Sequence, residues 1–259
     1  MTDFSGMKVL VIGAARAGSS MAMALKRAGA VVTVVDQKPA DSLDMIETMD
    51  KLAGAGIEVV SSWSGTPAWD KVDLIAPSPG VPRKHPALIE ALSRGIAIWS
   101  EIEIGYRLSK SPIVAITGTN GKSTVTALTY FLLRSAGKDA MLCGNIAGSG
   151  FEEMPICDAA SKSGAGKTLI AEVSSFQLEW VDAFRPHACA ITNISEDHIG
   201  RYKDAEEYAD MKRRIFENQT AEDFVVANLF DPKTFDASKP GKRFTYGPFN
   251  ADVSISEGS

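Results

Sequence analysis

Cysteine is scarce in this sequence. Its three residues, Cys143, Cys157 and Cys189, are too few and too scattered for a disulfide framework, and none sits in a C-x-x-C zinc spacing. A reducing, cytoplasmic compartment is the expectation that follows. Long apolar runs are missing as well. None approaches the roughly 18 residues of a membrane span, so no membrane insertion is expected. Nor is there any excess of positive charge. With 27 Lys and Arg against 32 Asp and Glu, the net charge is −5, and no basic field would draw in a nucleic-acid backbone. Any anionic ligand must therefore be held by local groups. Internal repeats and low-complexity tracts are also lacking.

What is present is a chain of 259 residues, 45% of them hydrophobic, enough for two domains that each bury a core. Met7-Lys8 followed by Val9 to Ala15 imitates a short signal peptide. Asp3 precedes it and Arg16 interrupts it, so it reads as a buried strand. Strands are expected at Lys8 to Gly13, Val31 to Val35, Ile57 to Val60, Leu74 to Ala76 and Ile96 to Ile98. Helices are expected at Ser19 to Ala28 and Pro86 to Arg94. The strands are apolar throughout rather than at alternate positions, which implies parallel sheets covered on both faces. After the amphipathic stretch Glu101 to Leu108, Ser111-Pro112 marks a boundary. A second alternation follows, with strands at Ile113 to Thr117, Thr168 to Val173, Ala188 to Asn193 and Phe224 to Ala227, and a helix from Lys122 to Ala136. The expected fold is α/β throughout, in two units joined near residue 100.

The first unit carries a weak nucleotide signal. Gly13-Ala14-Ala15-Arg16-Ala17-Gly18 lies between the first strand and the first helix, where a Rossmann turn holds pyrophosphate. Ala15 stands where the dinucleotide fingerprint has its second glycine, so a nucleotide other than a redox dinucleotide fits better. Asp36 ends the second strand, in the place of a ribose-binding carboxylate. A tight turn with no ligand remains the alternative. Ser78-Pro79-Gly80-Val81-Pro82 ends another strand and could close the same crevice.

The second unit carries a strong one. Gly118-Thr119-Asn120-Gly121-Lys122-Ser123-Thr124 follows a buried strand and opens a helix. Backbone N–H groups there would face phosphates, Lys122 would reach the β/γ oxygens and Ser123 would offer a hydroxyl to magnesium. Ser163-Gly-Ala-Gly-Lys-Thr168 looks equally good as a string. It precedes its strand, so no helix N-terminus would point at a phosphate, and it reads as an exposed connecting turn.

Thr117 to Thr124 resembles the phosphate loop of the Mur ligases and folylpolyglutamate synthetases. Glu172-Val-Ser-Ser-Phe-Gln-Leu-Glu179, Asn193-Ile-Ser-Glu-Asp-His-Ile-Gly-Arg-Tyr202 and Lys212-Arg-Arg-Ile-Phe-Glu-Asn218 are similar to segments of the D-glutamate-adding branch of the Mur ligases. The resemblance runs from Phe4 to the end of the chain. Gly200 departs from it, standing where many relatives carry an aspartate.

The resemblance implies a Rossmann-like UDP-substrate domain over residues 1–100. A P-loop-type ATPase domain with a mainly parallel sheet follows over 101–259. Arg16, Ala17, Asp36, Gln37, Lys38 and Gly80 match positions that contact the UDP-linked substrate, and Asn145 and Ser174 match positions near its muramoyl group and reacting carboxyl. ATP and Mg²⁺ are the implied cofactors, with Ser123, Glu172, His198 and Lys212 at the metal. Lys122, Asn145, His198 and Lys212 are the implied catalytic set. Lys212 matches a lysine carbamylated in the family, which would turn an ammonium into an anionic oxygen ligand. Taken alone, Glu172 reads as a solvated strand-end carboxylate, His198 as a surface or hydrogen-bonding residue, and Lys212 as a solvated helix-face lysine beside Arg213 and Arg214. The implied reaction joins UDP-N-acetylmuramoyl-L-alanine and D-glutamate at the expense of ATP, in peptidoglycan precursor synthesis, by a monomer. Family members run to a third domain that supplies the D-glutamate site, and their asparagine-rich segment near adenine is absent here. These residues are thus expected to form a fragment with an incomplete central domain and no C-terminal domain, unable to ligate alone. The rival readings are another ligase of the superfamily, a nicotinamide-dependent oxidoreductase and a non-catalytic nucleotide-binding module.

Overall fold

The computed structural model describes residues 2–195, 200–234 and 240–254. Five short strands build a first sheet: β1 (Lys8–Ile12), β2 (Val31–Val35), β3 (Glu58–Val60), β4 (Leu74–Pro77) and β5 (Ala97–Ile98). Their order is β3-β2-β1-β4-β5, all parallel. Alternate residues of a strand point to opposite faces, which explains why β1 is apolar throughout. Val9 and Val11 pack with Met21 and Leu25 of α1 (Arg16–Arg27) and Leu52 of α2 (Leu43–Gly54). Leu10 and Ile12 face the other way, towards Leu88 and Ala91 of α3 (Pro86–Ser93). Helix α1 begins at Arg16, three residues before the start expected from its alanine-rich stretch.

Helix α4 (Glu101–Leu108) leads to a second sheet. Its strands are β6 (Ile113–Thr117), β7 (Ala140–Gly144), β8 (Glu153–Met154), β9 (Thr168–Glu172), β10 (Ala188–Ile191), β11 (Phe224–Asn228), β12 (Lys242–Gly247) and β13 (Val253–Ser254). They lie in the order β13-β12-β11-β10-β6-β9-β7-β8, again parallel. The helices here are α5 (Lys122–Ser135), α6 (Ile156–Lys162), α7 (Ser175–Leu178) and α8 (Ala205–Arg213). Ile116 faces α5, where Ala127, Tyr130 and Leu133 cover it. On the other face, Ile113 and Ala115 belong to one apolar cluster with Ile102 and Ile104 of α4, Ile156 and Ala159 of α6, and Met21 and Leu25 of α1. The core therefore runs unbroken from one sheet to the other.

The strand order places both candidate sites. β1 is flanked by β2 and β4, and β6 by β9 and β10. Open α/β sheets bind ligands beyond the carboxyl ends of strands where the order reverses. Those ends here carry Gly13, Asp36 and Ser78 in one sheet, and Thr117, Glu172 and Thr192 in the other.

Candidate functional site

In the first sheet the glycine turn is tightly tied. Gly18 lies against the turn so closely that a Cβ there would stand 1.8 Å from the Gly13 carbonyl oxygen. The Ser78 hydroxyl donates to the same carbonyl at 2.9 Å. Asp36, the expected ribose ligand, uses both carboxylate oxygens on backbone: Oδ2 accepts from the Ala14 N–H at 2.7 Å and Oδ1 from the Lys38 N–H at 2.8 Å. Ala15, Arg16, Asp36 and Lys38 line a cavity of about 560 Å³ whose opposite wall is Glu153, Met154, Pro155 and Asp158. Arg16 crosses to the second sheet, donating to the carbonyls of Ile146 at 3.5 Å and Glu153 at 3.4 Å. Ala17 is half-buried, and Gln37 and Gly80 are exposed near this rim. Lys38 pairs with Asp44 at the surface, 3.2 Å away.

The second site is built on the loop between β6 and α5. Gly118 has φ +149°, and a Cβ there would stand 1.9 Å from Thr192 Oγ1. Gly118→Ala is therefore expected to cost about 2 kcal/mol of stability, read by chemical denaturation, because it combines a disfavoured backbone with a displaced Thr192. The loop is laced to the residues after β10: Thr119 N–H donates to Asn193 O (2.9 Å), Asn120 N–H to Asn193 Oδ1 (3.0 Å), and Thr192 Oγ1 to Asn120 O (2.6 Å). The first-turn N–H groups of α5, from Lys122 and Ser123 onward, have no intrahelical partner and face outward with the positive end of the helix dipole. Thr124 is exposed on that turn. Lys122 Nζ donates back to Thr119 O at 2.9 Å.

Glu172 is the centre of the arrangement, and it is not a solvated carboxylate. It is 2% exposed. Oε2 accepts from Ser123 Oγ at 2.5 Å and Oε1 from Asn145 Nδ2 at 3.0 Å. Three residues distant in sequence thus converge on one point. Lys212 departs equally from the solvated helix-face reading. It is 1% exposed, donates to the Gly118 carbonyl at 2.8 Å and sits 4.6 Å from the centre of the Tyr208 ring. His198, expected at the metal, lies outside the described residues. Gly200 is exposed in a turn. The Gly164–Gly166 turn is exposed and leads into the amino end of β9, away from the site, as its position before a strand implies.

The donor set suits magnesium. A hydroxyl and a carboxylate 2.5 Å apart are hard oxygen donors converging on one point, and Mg²⁺ is held by one or two such groups together with substrate phosphates. Among the described residues no group of three or more His, Cys, Asp and Glu forms an all-protein cage. Lys212 as an ammonium is a donor only and cannot ligate a cation.

Ser174, expected near the substrate, is held by residues that were not singled out from sequence. Ser174 caps α7, its Oγ accepting from the Gln177 N–H at 3.3 Å while Gln177 Oε1 accepts from the Ser174 N–H at 3.0 Å. The Ser-x-x-Gln spacing is a capping-box signature and could have been read. Gln177 Nε2 then donates to Glu101 Oε2 at 2.8 Å. Glu101 is 3% exposed, and burial pushes its carboxyl up to about 7 against the pull of Gln177, the Ile156 N–H and Arg16. Glu103, wholly buried, accepts from the backbone N–H groups of Asp182, Ala183 and Phe184. Arg201 pairs with buried Glu179 and donates to Val81 O at 3.0 Å, tying the second unit to the first.

Comparison with known proteins gives the family. The Mur ligase middle domain matches residues 116–255, and the Mur ligase MurD-like N-terminal domain matches residues 7–100. The chain belongs to the Mur ligase family. Two curated relatives are each named UDP-N-acetylmuramoylalanine--D-glutamate ligase. The one from Trichlorobacter lovleyi is 39% identical over 97% of this chain and 54% of its own length. The one from Pelobacter propionicus is 40% identical over 99% of this chain and 55% of its own. The chain thus spans about half the length of the curated relatives it matches. Among solved structures, the UDP-N-acetylmuramate:L-alanyl-gamma-D-glutamyl-meso-diaminopimelate ligase from Neisseria meningitides shares the fold. Its TM-score is 0.59 at 18% identity, over 93% of this chain and 78% of that one. No helix among the described residues of this Mur ligase is long and apolar enough to cross a membrane.

Proposed function

We propose that this chain carries the UDP-substrate and ATP sites of a ligase that adds D-glutamate to UDP-N-acetylmuramoyl-L-alanine in peptidoglycan precursor synthesis. The observation that carries this reading is the convergence of Ser123, Glu172 and Asn145 beside a phosphate loop, on a chain 39–40% identical to ligases of that name. In the proposal, residues 1–100 hold the UDP portion and residues 101–259 the ATP. Arg16, Ala17, Asp36, Gln37, Lys38 and Gly80 surround the nucleotide. Arg16 matters most among them, because its guanidinium is the cation at the N-terminus of α1 that can meet a diphosphate. Asp36 acts by holding the turn open through the Ala14 N–H.

The substrate carboxylate takes the γ-phosphoryl group of ATP, giving an acyl phosphate and ADP. The amine of D-glutamate then attacks the acyl carbon and expels phosphate. The task is charge management, since two anions must meet. Gly118, Thr119, Asn120 and Gly121 shape the loop, whose helix N-terminus faces the phosphates. Lys122 would leave Thr119 O to reach the transferring oxygens. Ser123 and Glu172 would hold Mg²⁺, joined by His198 and by Lys212 in its carbamylated form, and the ion supplies charge neutralisation between phosphate oxygens. Asn145, oriented by Glu172, and Ser174 lie towards the muramoyl end.

Thermal-shift titration tests the reading. UDP-N-acetylmuramoyl-L-alanine and ATP with Mg²⁺ are each expected to raise the unfolding temperature, as ligands of the native state must. NAD and folate are expected to leave it unchanged. A shift with NAD and none with the UDP substrate would replace this reading with the oxidoreductase one.

A further inference from the structure

Glu101 lies in the apolar junction between the sheets, on the first residue of α4, where its carboxyl accepts from Gln177 and feels the nearby Ile156 N–H. Oε2 accepts from Gln177 Nε2; Oε1 is buried and makes no hydrogen bond of normal geometry among the described residues. A buried polar atom left in that state costs free energy, and in a native structure it calls for an explanation. What it serves is visible one bond further on. The Ser174 N–H needs an acceptor, and Gln177 Oε1 provides it at 3.0 Å. That fixes which end of the Gln177 amide faces the loop and leaves its NH₂ pointing at Glu101. Ser174 Oγ then donates its single proton to Gln177 Oε1, at 3.2 Å, and accepts from the Gln177 N–H. A hydroxyl has one donor and two acceptor sites, so one lone pair of Ser174 Oγ is left unused by the hydrogen bonds among the described residues.

We infer that Glu101 is a positioning residue which, through Gln177, sets the polarity of Ser174 so that this serine offers the site a hydrogen-bond acceptor suited to an amide N–H. The rest of α4 supports the same segment. Ser100 N–H donates to Trp180 O at 2.9 Å, and Glu103 gathers the three N–H groups of 182–184. Helix α4 therefore grips the stretch after Glu172 at both ends, with Glu101 acting at the end nearer the site. UDP-N-acetylmuramoyl-L-alanine offers such an N–H in its alanyl amide; that assignment of the donor rests on the proposed function, whereas the Glu101–Gln177–Ser174 chain does not.

The test compares Glu101→Leu, which removes the acceptor at similar volume, with Glu101→Gln, whose carbonyl can still accept. Glu101→Leu is expected to speed hydrogen exchange of the Ser174 backbone amide about tenfold or more, and to weaken binding of UDP-N-acetylmuramoyl-L-alanine by a similar factor. ATP binding stays within about twofold, since the phosphate loop is untouched. Glu101→Gln restores both quantities. Equal exchange and equal affinity in the two variants would overturn the inference. If the wild-type chain shows no affinity for the UDP substrate, the proposed function falls and amide exchange still decides the part of Glu101. Should Glu101→Leu fail to fold, the wild-type side-chain amide of Gln177 supplies the answer. Strong protection of its two protons from solvent exchange is expected if it is clamped between Glu101 and Ser174, and exchange as fast as in a free glutamine side chain would refute the clamp.

Discussion

Lys212→Ala is expected to weaken Mg²⁺-dependent ATP binding by about 10- to 100-fold, the cost of leaving a buried backbone acceptor unsatisfied beside the phosphates. The lost contacts include the 2.8 Å hydrogen bond that holds the Gly118 carbonyl. Gly118 in turn opens the loop, so the backbone that should cradle phosphate loses its anchor. Chemical rescue separates the two states in which Lys212 could act. A carbamate keeps one N–H on Nζ and can still donate to Gly118 O, while adding two anionic oxygens for a cation. An ammonium keeps its attraction to the face of Tyr208, 4.6 Å away. Restoration of ATP binding by acetate or formate supports the carbamate; restoration by methylamine supports the ammonium. Isothermal titration with each additive gives the result, and circular dichroism confirms that the variant is folded. No rescue by either, in a folded variant, would count against both roles.

The second large effect is on stability against pH. Glu101 is held up to about 7 chiefly by burial, with the Asp158 carboxylate also raising it, while Gln177, the Ile156 N–H and the Arg16 guanidinium act in the opposite sense; the thiols of Cys143 and Cys157 are its other titratable neighbours. Those two thiols are pushed up by burial and stay protonated through neutrality. The folded chain thus binds a proton more tightly than the unfolded chain, whose carboxyl titrates near 4.5. Stability conferred by that proton is fully present below about 4.5 and is lost as pH rises to about 7. The total is about 3 kcal/mol as an upper bound. Carboxylates held low, such as Asp223 beside Arg185, act the other way and lose stability only as pH falls through their own range. Urea unfolding at pH 5 and pH 8 should therefore show a decline for the wild type, and Glu101→Gln should flatten it, ending more stable at pH 8. Parallel declines in the two proteins would show that Glu101 does not carry the proton.

Most of what the fold repeats locally was legible in the sequence. β2 and β6 occupy the expected residues, and the stretch Glu101–Leu108, read only as amphipathic, forms α4. Pattern works there because runs such as Val-Val-Thr-Val-Val are β-branched and end in turn residues. β7 (Ala140–Gly144) gave no such signal, since Ala-Met-Leu-Cys-Gly contains no β-branched residue. The last expected strand residues after Ile191 are instead pulled towards the phosphate loop by hydrogen bonds from Thr119 and Asn120 to Asn193. Within the candidate site, the loop glycines and Lys122 announced themselves through order along the chain. Glu172 and Lys212 did not, because burial of a charge depends on partners far off in sequence: Ser123 and Asn145 for one, Gly118 for the other. Glu101 and Glu103 were hidden for the same reason, inside a stretch legible only as amphipathic.

The unbroken apolar cluster through α1, α4 and α6 has a thermodynamic consequence. Neither sheet can melt without exposing the helices that seal the other, so the two are expected to share one unfolding transition. In the proposed function, free energy released when a nucleotide settles on the loop before α5 would then be distributed over residues that would meet a UDP group. Each ligand protects the whole chain from unfolding, including the part it never touches. The sites are linked through their common unfolded state, before any movement between them is invoked.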